Sequence, residues 1–339
     1  MTQEEFLEEW NNDSDKLLVH TSGSTGSPKP LWVEKQRMLA SARVTCDFLG
    51  LKSGDTALLC MSLDYIAGKM MVVRSIERGL RLISVPPSGH PLATLVGRVA
   101  APVFAAMVPM QVYNSLQVPE ERKMLREIRH LIIGGGAIED RLARELRFFP
   151  NAVWSTYGMT ETLSHIALRR LSGPGASEWY EPFDGVELSL TSDGCLVICA
   201  PAVCDHPLVT HDRAELLPSH RSEGAKVRFR ILGRKDNVID SGGIKIQIEE
   251  VEKALRPFLR MPFLITKKKD AKFGEAVVLL TEQTDMADMA EICMNALPKY
   301  WVPRAYIHVE KIPLTETGKP ARAVAETLAA RSASGVILP

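Results

Sequence analysis

The sequence predicts an α/β protein of two unequal domains. The large N-terminal one, residues 1–233, is built on a helix-covered, mainly parallel sheet with a β-rich subdomain. The small C-terminal one, residues 234–339, is α+β. Three observations carry this. Helical and strand patterns alternate from about residue 34 to 155, as in a parallel sheet covered by helices. From 160 to 232 the pattern changes to short strands and turns. Beyond a polar connector bracketed by Gly233 and the Gly242–Gly243 pair, strand and helix patterns mix over about a hundred residues, an ordinary domain size.

The elements follow in order. The apolar run Leu17–Val19 reads as a strand that stops at a loop of hydroxyls and glycines. "EKQRMLASARVTCDFL" carries Met38, Ala42, Cys46 and Leu49 at helical spacing. "TALLCM" follows as a strand, "AGKMMVVRSIERG" as a helix stopped at Gly79, and "LRLISV" as a strand. "HLIIGG", "IEDRLARELRFF" and "AVWSTYG" continue as strand, helix and strand. "GVELSL", "GCLVICA" and "KVRFRIL" are short strands of the β-rich part. After the connector, "QIEEVEKAL" and "MADMAEICMNAL" read as helices, and "FLIT", "AVVLL" and "AYIHV" as strands.

Composition narrows the function classes. Lys+Arg and Asp+Glu are 41 each, so the balance gives no reason to expect nucleic acid or an acidic membrane as partner. The acidic start (Glu4, Glu5, Glu8, Glu9) has no apolar run behind it and argues against a signal peptide. Residues 99–119 are uncharged, but Pro102, Pro109 and Pro119 interrupt them, which speaks for core segments joined by turns rather than a membrane helix. Cys195, Cys199, Cys204, His206 and His211 form no paired zinc knuckle. Reduced thiols in a cytoplasmic protein are expected.

The loop "TSGSTGSPK" is the richest stretch. Successive N–H groups in a glycine-permitted turn make a nest for anions. Thr21, Ser22, Ser24 and Thr25 add hydroxyls between and beside Gly23 and Gly26, and Lys29 adds charge. The spacing fails the Gly-x-x-x-x-Gly-Lys-Ser/Thr phosphate loop. A plain Ser/Gly-rich surface loop is the alternative. "LIIGGGAIED" also fails as a dinucleotide loop, because Glu139 occupies the third glycine position.

Together with four further segments in order, this loop resembles the adenylate-forming superfamily of acyl-CoA synthetases, adenylation domains and luciferases. The segments are "YGMTE", "LVTHDRAEL", "GRKDNVIDSGGIKI" and "PLTETGKPAR". The resemblance implies ATP, Mg2+ and coenzyme A as co-substrates and a carboxylic acid as substrate. A carboxylate attacks the α-phosphate of ATP and releases pyrophosphate, and a thiol then displaces AMP. It implies residues 21–26 and Lys29 at the departing phosphates and Thr160 at the α-phosphate. It puts Glu161 on magnesium, and Lys319 as the catalytic lysine touching carboxylate and phosphate. Gly135, Gly136 and Ala137 would face adenine, with Tyr157 on its other side, and Asp212 and Arg234 would hold the ribose. Asp236 would be the hinge of a mobile C-terminal domain, and Gly242, Gly243 and Lys245 would belong to the thiol tunnel. Outside the register, Lys319 reads as a solvated turn, Asp212 as a surface acid and Glu161 as a helix cap.

Within the superfamily, "YGMTETLSHIALR", "GCLVICAP" and "LGRKDNVIDSGGIKI" resemble the o-succinylbenzoate–CoA ligases of menaquinone biosynthesis. A pocket for that ringed dicarboxylate needs a cationic or polar group. Lys69, Arg74, Ser164 and His165 are candidates, alongside Tyr65 and Gly68 in the same segment; Lys69 and Arg74 also read as ordinary helix-surface charges. Twenty residues precede the phosphate loop where the family has over a hundred, so an absent or shortened N-terminal subdomain is expected, with a homodimer as one way to complete the pocket wall. Tyr65 and Ala67 replace polar family residues, Pro30 follows Lys29, and His211 replaces a glycine. Another aryl- or acyl-CoA ligase, a carrier-protein-loading enzyme and a non-catalytic nucleotide binder stay open.

Overall fold

The computed structural model describes residues 1–20, 30–136, 138–217, 227–284, 286–315 and 319–331. A capped helix, α1 (Gln3–Asn11), precedes an antiparallel ribbon of β1 (Lys16–His20) and β2 (Pro30–Glu34), in which His20 pairs with Pro30. There follow α2 (Lys35–Leu49), β3 (Thr56–Leu59), α3 (Ile66–Arg78), β4 (Arg81–Ser84), β5 (Phe104–Met107), α4 (Pro109–Gln117), α5 (Pro119–Glu127), β6 (His130–Ile133), α6 (Asp140–Leu146) and β7 (Ala152–Gly158). The strands pair in parallel in the order β4-β3-β5-β6-β7. Two more, β8 (His165–Arg170) and β9 (Glu181–Pro182), extend this sheet antiparallel.

Both faces of the parallel part are covered, so successive residues of a strand enter different cores. Ala57, Leu59, Phe104, Ala106 and Ile132 pack with Met38, Ala42, Met70 and Val73 of α2 and α3. Their neighbours Leu58, Ala105, Met107, Leu131 and Ile133 pack with Val112, Leu116, Met124, Leu125 and Leu142 of α4, α5 and α6. The uncharged stretch 99–119 thus holds β5 and α4. Pro109 and Pro119 stand at the first turns of α4 and α5, where a missing N–H costs no helical bond.

The β-rich part is an antiparallel sheet of β10 (Glu187–Leu190), β11 (Cys195–Cys199), β12 (Leu208–Leu217) and β13 (Arg228–Arg234), paired in that order. The expected polar connector is shorter than the sequence suggested: one turn, residues 235–237. The chain then forms another sheet from β14 (Val238–Ser241), β15 (Ile244–Gln247), β16 (Phe263–Asp270), β17 (Gly274–Thr281) and β18 (Ala305–His308). It is covered by α7 (Ile248–Leu255), α8 (Ala287–Ala296) and α9 (Arg322–Arg331). Gly242 and Gly243, with φ of 61° and 84°, make the two-residue turn between β14 and β15, which demands positive φ at both positions. Among the described residues no helix is long and apolar enough to cross a membrane.

Two local arrangements fix the geometry around the cavity described below. The first is the reversal between β7 and β8. Gly158 pairs with His165, so the chain turns back within six residues. It does so through Leu163, a buried residue at φ 62°, ψ −33°. Ser164 N–H donates to Thr162 O at 2.7 Å, closing a γ-turn of the rare positive-φ kind. The second is α9. Arg322 donates two hydrogen bonds to the buried Glu252, at 2.7 and 2.9 Å, and a third to Ile265 O at 2.8 Å. Ile265 N–H in turn donates to Glu252 at 3.0 Å. This pins the chain three residues after Lys319 to the C-terminal sheet.

Glu252→Gln keeps the shape but leaves the guanidinium half-paired in a buried place. It is expected to cost about 3 kcal/mol, read as an earlier urea transition by circular dichroism. Gly158→Ala would put a Cβ 2.2 Å from Ser164 O and 2.4 Å from His165 Cα, both backbone atoms of the paired strand. A loss of at least about 2 kcal/mol is expected from overpacking that cannot relax, measured by thermal denaturation.

Candidate active site

A cavity of about 470 Å³ opens at the C-terminal ends of the parallel strands, the usual place for a ligand in a doubly covered sheet. Its wall includes Gly134 and Gly135 after β6, Gly158 and Thr160 after β7, Arg74 from α3 and Lys319 from the C-terminal part. Residues as far apart in sequence as Arg74 and Lys319 thus share one space. His20 lines it too. Sequence reasoning passed over His20, although its place at the end of a strand directly before the hydroxyl loop was a usable signal.

Of the predicted phosphate group, Thr21, Ser22, Gly23, Ser24, Thr25, Gly26 and Lys29 lie outside the described residues, as does Ala137. Thr160 is buried in the cavity wall. Glu161 is exposed beside it, and its backbone carbonyl accepts a hydrogen bond from Cys204 Sγ at 3.3 Å. Among the described residues no three His, Cys, Asp or Glu side chains gather as a metal cage. Glu161 is a single exposed carboxylate, outside the cavity wall but adjacent in sequence to Thr160, which lines it. That fits a magnesium ion held by one protein ligand together with nucleotide phosphates.

Lys319 is tied to Thr315 by two bonds: Thr315 N–H donates to Lys319 O at 2.7 Å and Lys319 N–H to Thr315 Oγ1 at 3.1 Å. Burial pulls the Lys319 ammonium below the ordinary lysine value, the nearby Arg234 pulls the same way, and Asp212 opposes them. Lys319, Arg234 and Asp212 therefore form one electrostatic group. Asp212 is itself buried, and each of its oxygens accepts one bond and keeps a lone pair free. Oδ2 accepts from the Tyr157 hydroxyl at 2.7 Å and Oδ1 from Arg234 Nη1 at 2.9 Å. Arg234 and Asp212 face each other across β12 and β13, next to a register shift between Arg213 and Ala214 that leaves Leu232 unpaired. Such bulges re-aim a side chain at a strand end.

Other predicted residues fall outside the cavity wall. Tyr157 does not line the cavity. Its ring packs on Phe229 and Tyr180, with centroids 5.1 and 5.8 Å away, and burial followed by the Asp212 charge pushes its hydroxyl upward, so it stays a donor. Gly136 is likewise outside the wall, although Gly135 is in it. Lys69 turns away from the cavity: its ammonium lies 5.4 Å from the centre of the Phe6 ring and 3.3 Å from Met1 Sδ. Gly68 is a packing position, where a Cβ would meet Ser62 O at 2.3 Å. Gly242 and Gly243 are explained by their turn, and Lys245 pairs with Asp240. Asp236 accepts from His211 at 2.8 Å and Arg234 at 3.2 Å. Burial opposes ionisation of Asp236, yet these two partners hold its carboxyl below the ordinary value.

Tyr65, Arg74, Ser164 and His165 do line the cavity. Arg74 is 2% exposed, among the largest fully buried side chains described. Its Nη2 donates to Ser164 Oγ at 2.6 Å, its Nη1 reaches only Met71 Sδ at 3.9 Å, and its Nε has no partner. Among the described residues no carboxylate pairs with it. Its titratable neighbour Cys46 supplies no anion, because burial pushes that thiol up to about 11. Burial lowers Arg74 itself to about 10, which leaves it a cation at neutral pH.

The arrangement can take an anionic nucleotide and a second anion: an ammonium, a hydroxyl and bare glycine backbone on one side, and a buried guanidinium on the other. Comparisons with known proteins agree with this chemistry. A crystal structure of an AMP-forming acyl-CoA synthetase-like protein from Dyadobacter fermentans is 32% identical, with a TM-score of 0.62, covering 94% of this chain and 91% of that one. The 2-succinylbenzoate–CoA ligase of Bacillus velezensis is 24% identical, over 91% of this chain and 67% of its own length. The o-succinylbenzoate CoA synthetase of Bacillus subtilis, solved with its acyl-adenylate intermediate, shares the fold at a TM-score of 0.74 and 21% identity, covering 94% of this chain and 69% of that one. The family model described as AMP-binding enzyme matches residues 4–193, and the chain belongs to that family.

Proposed function

We propose that the chain is an AMP-forming acid–CoA ligase whose acid carries a second carboxylate, and that this acid is o-succinylbenzoate. The observation that carries the acid is Arg74, a buried cation in the cavity wall with no anionic partner among the described residues. A charge left so is costly unless a ligand pairs it. The names of the Bacillus relatives support the same acid.

Two anions must meet in the first step, so fixed positive charge is needed where negative charge develops. A carboxylate oxygen attacks the α-phosphorus and pyrophosphate leaves. Lys319 offsets the charge on carboxylate and phosphate, and Thr160 donates to the α-phosphate. Asp212 accepts from the ribose, kept in place by Tyr157 and Arg234. Glu161 would hold a magnesium ion that arrives with the triphosphate, and the ion would screen the triphosphate's charge. In the second step the sulfur of coenzyme A attacks the acyl carbon and AMP leaves with the electron pair. The part from residue 234 onward turns about Asp236 between the steps, which takes Lys319 out and brings the 241–246 turn in. A few connector residues absorb such a rotation.

The direct test mixes protein, magnesium, ATP and o-succinylbenzoate, with and without coenzyme A, and measures pyrophosphate, AMP and thioester. Thioester formed only with coenzyme A is expected. Turnover of another acid with silence towards this one would keep the ligase and move the substrate, as Tyr65 and Ala67 in the wall would then explain. Arg74→Leu is expected to raise KM for the dicarboxylate about a hundredfold, with little change for an aryl acid lacking the second carboxylate. The Lys319 ammonium sits below its ordinary value of 10.5. kcat/KM for adenylate formation should therefore fall as pH rises through that lowered value, where the proton and its charge are lost. Lys319→Arg, which stays charged, should show reduced activity without that alkaline limb. A limb that survives the substitution belongs to another group.

A further inference from the structure

Arg74 does not stand alone. Its Nη2 donates to Ser164 Oγ at 2.6 Å, and Ser164 Oγ lies 3.2 Å from His165 Nδ1. His165 Nε2 lies 3.1 Å from Thr45 Oγ1, and Thr45 Oγ1 donates to Ser41 O, also at 3.1 Å. Arg74, Thr45 and His165 are each more than nine-tenths buried. The chain crosses from α3 through the β7–β8 reversal to α2.

Its direction is fixed from both ends. A guanidinium can only donate, so Ser164 Oγ accepts from Arg74 and has one proton to give. Thr45 spends its proton on the Ser41 carbonyl and so accepts from His165 Nε2–H. His165 Nδ1 is then an acceptor and takes the Ser164 proton. Every hydroxyl and ring nitrogen in the run is satisfied in one arrangement, with the imidazole neutral. Burial, and then the Arg74 charge, hold His165 well below its ordinary value.

We propose that His165, set by Thr45, is a positioning residue for acid selectivity: it draws the Ser164 proton away from the cavity, so that Ser164 presents a lone pair to Arg74 and aims the guanidinium at the second carboxylate of the acid. The inference rests on the ligase reading above. Two features suit this role and no general packing role. The turn through Leu163 at φ 62° is the device that brings Ser164 and His165 to the cavity. The two remaining donors of Arg74, Nη1 and Nε, are left without an oxygen partner among the described residues.

The test opposes two substitutions. His165→Phe keeps ring volume in the buried slot but removes the acceptor. His165→Asn is smaller and leaves space, but its amide oxygen sits near the place of Nδ1 and can accept from Ser164. If His165 only fills space, Phe is the mild change and Asn the harmful one. If it orders the run, the ranking inverts: Phe should raise KM for o-succinylbenzoate about tenfold or more, with kcat near its original value, and Asn should recover most of that. Thr45→Val, which lets the ring reverse its tautomer, should shift KM in the same direction as Phe. The same acid without its second carboxylate serves as the internal reference, and thermal denaturation with ATP and magnesium shows that each variant folds. A KM ratio between the two acids that stays constant across all three variants would overturn the proposal. Absence of turnover of any dicarboxylate by the unsubstituted protein would instead defeat the ligase reading with that acid, which separates the two failures.

Discussion

The site depends on one constraint, the reversal after β7. Three of the sheet's strands, β3, β5 and β6, lead their chain to the same edge and then leave through a helix, which gives them room. β7 has none: its next strand is its own antiparallel neighbour, and Gly158 must sit opposite His165. A Cβ at 158 would overlap the Ser164 carbonyl, so the position admits only glycine. The turn between them is paid for in strain at Leu163, a non-glycine residue in a region that costs of order 1–3 kcal/mol. What the chain gains is the placement of Thr160, Glu161, Ser164 and His165 within a few residues of one another around the cavity mouth.

Charge is arranged on two separate sides of that mouth. On one, Asp212 gathers Tyr157 and Arg234 and draws Lys319 towards it. This group sets two cations against one buried carboxylate. On the other, Arg74 is buried with a serine, a sulfur and a vacant Nε. An anion entering the second side would meet a cation that no carboxylate among the described residues pairs, and that is the ground on which the proposed selectivity is placed there.

Much of this was legible in the sequence where the signal is local. The alternation along β3, β4, β6 and β7 and the stop at Gly79 read correctly because they follow from period and propensity alone. The missed elements are α1, α9, β2, β5, β8, β9, β12, β14, β15, α4 and α5. In the last two, prolines that read as turn markers stand at helix starts, and a single residue cannot say which side of it the helix lies. Arg74 and Ser164 were legible as candidates from their segments, but Lys69 was not separable from Arg74: both are on one helix, and only the packing of Phe6 shows which face each takes. The positive φ of Leu163 left no trace, because nothing local marks a leucine for it. Nor could a sequence show Tyr157 spending its hydroxyl on an aspartate fifty-five positions away.

The connector carries a consequence of its own. Arg234, Lys235 and Asp236 are consecutive, and each is ion-paired to the β-rich sheet: to Asp212, Asp193 and His211 in turn. Singly, exposed pairs of this kind contribute little. They share two adjacent peptide units, however, so a backbone rotation large enough to free one frees the others. In the proposed rotation about Asp236 the three pairs would therefore break together rather than one by one, and added salt, which screens them, would ease that step.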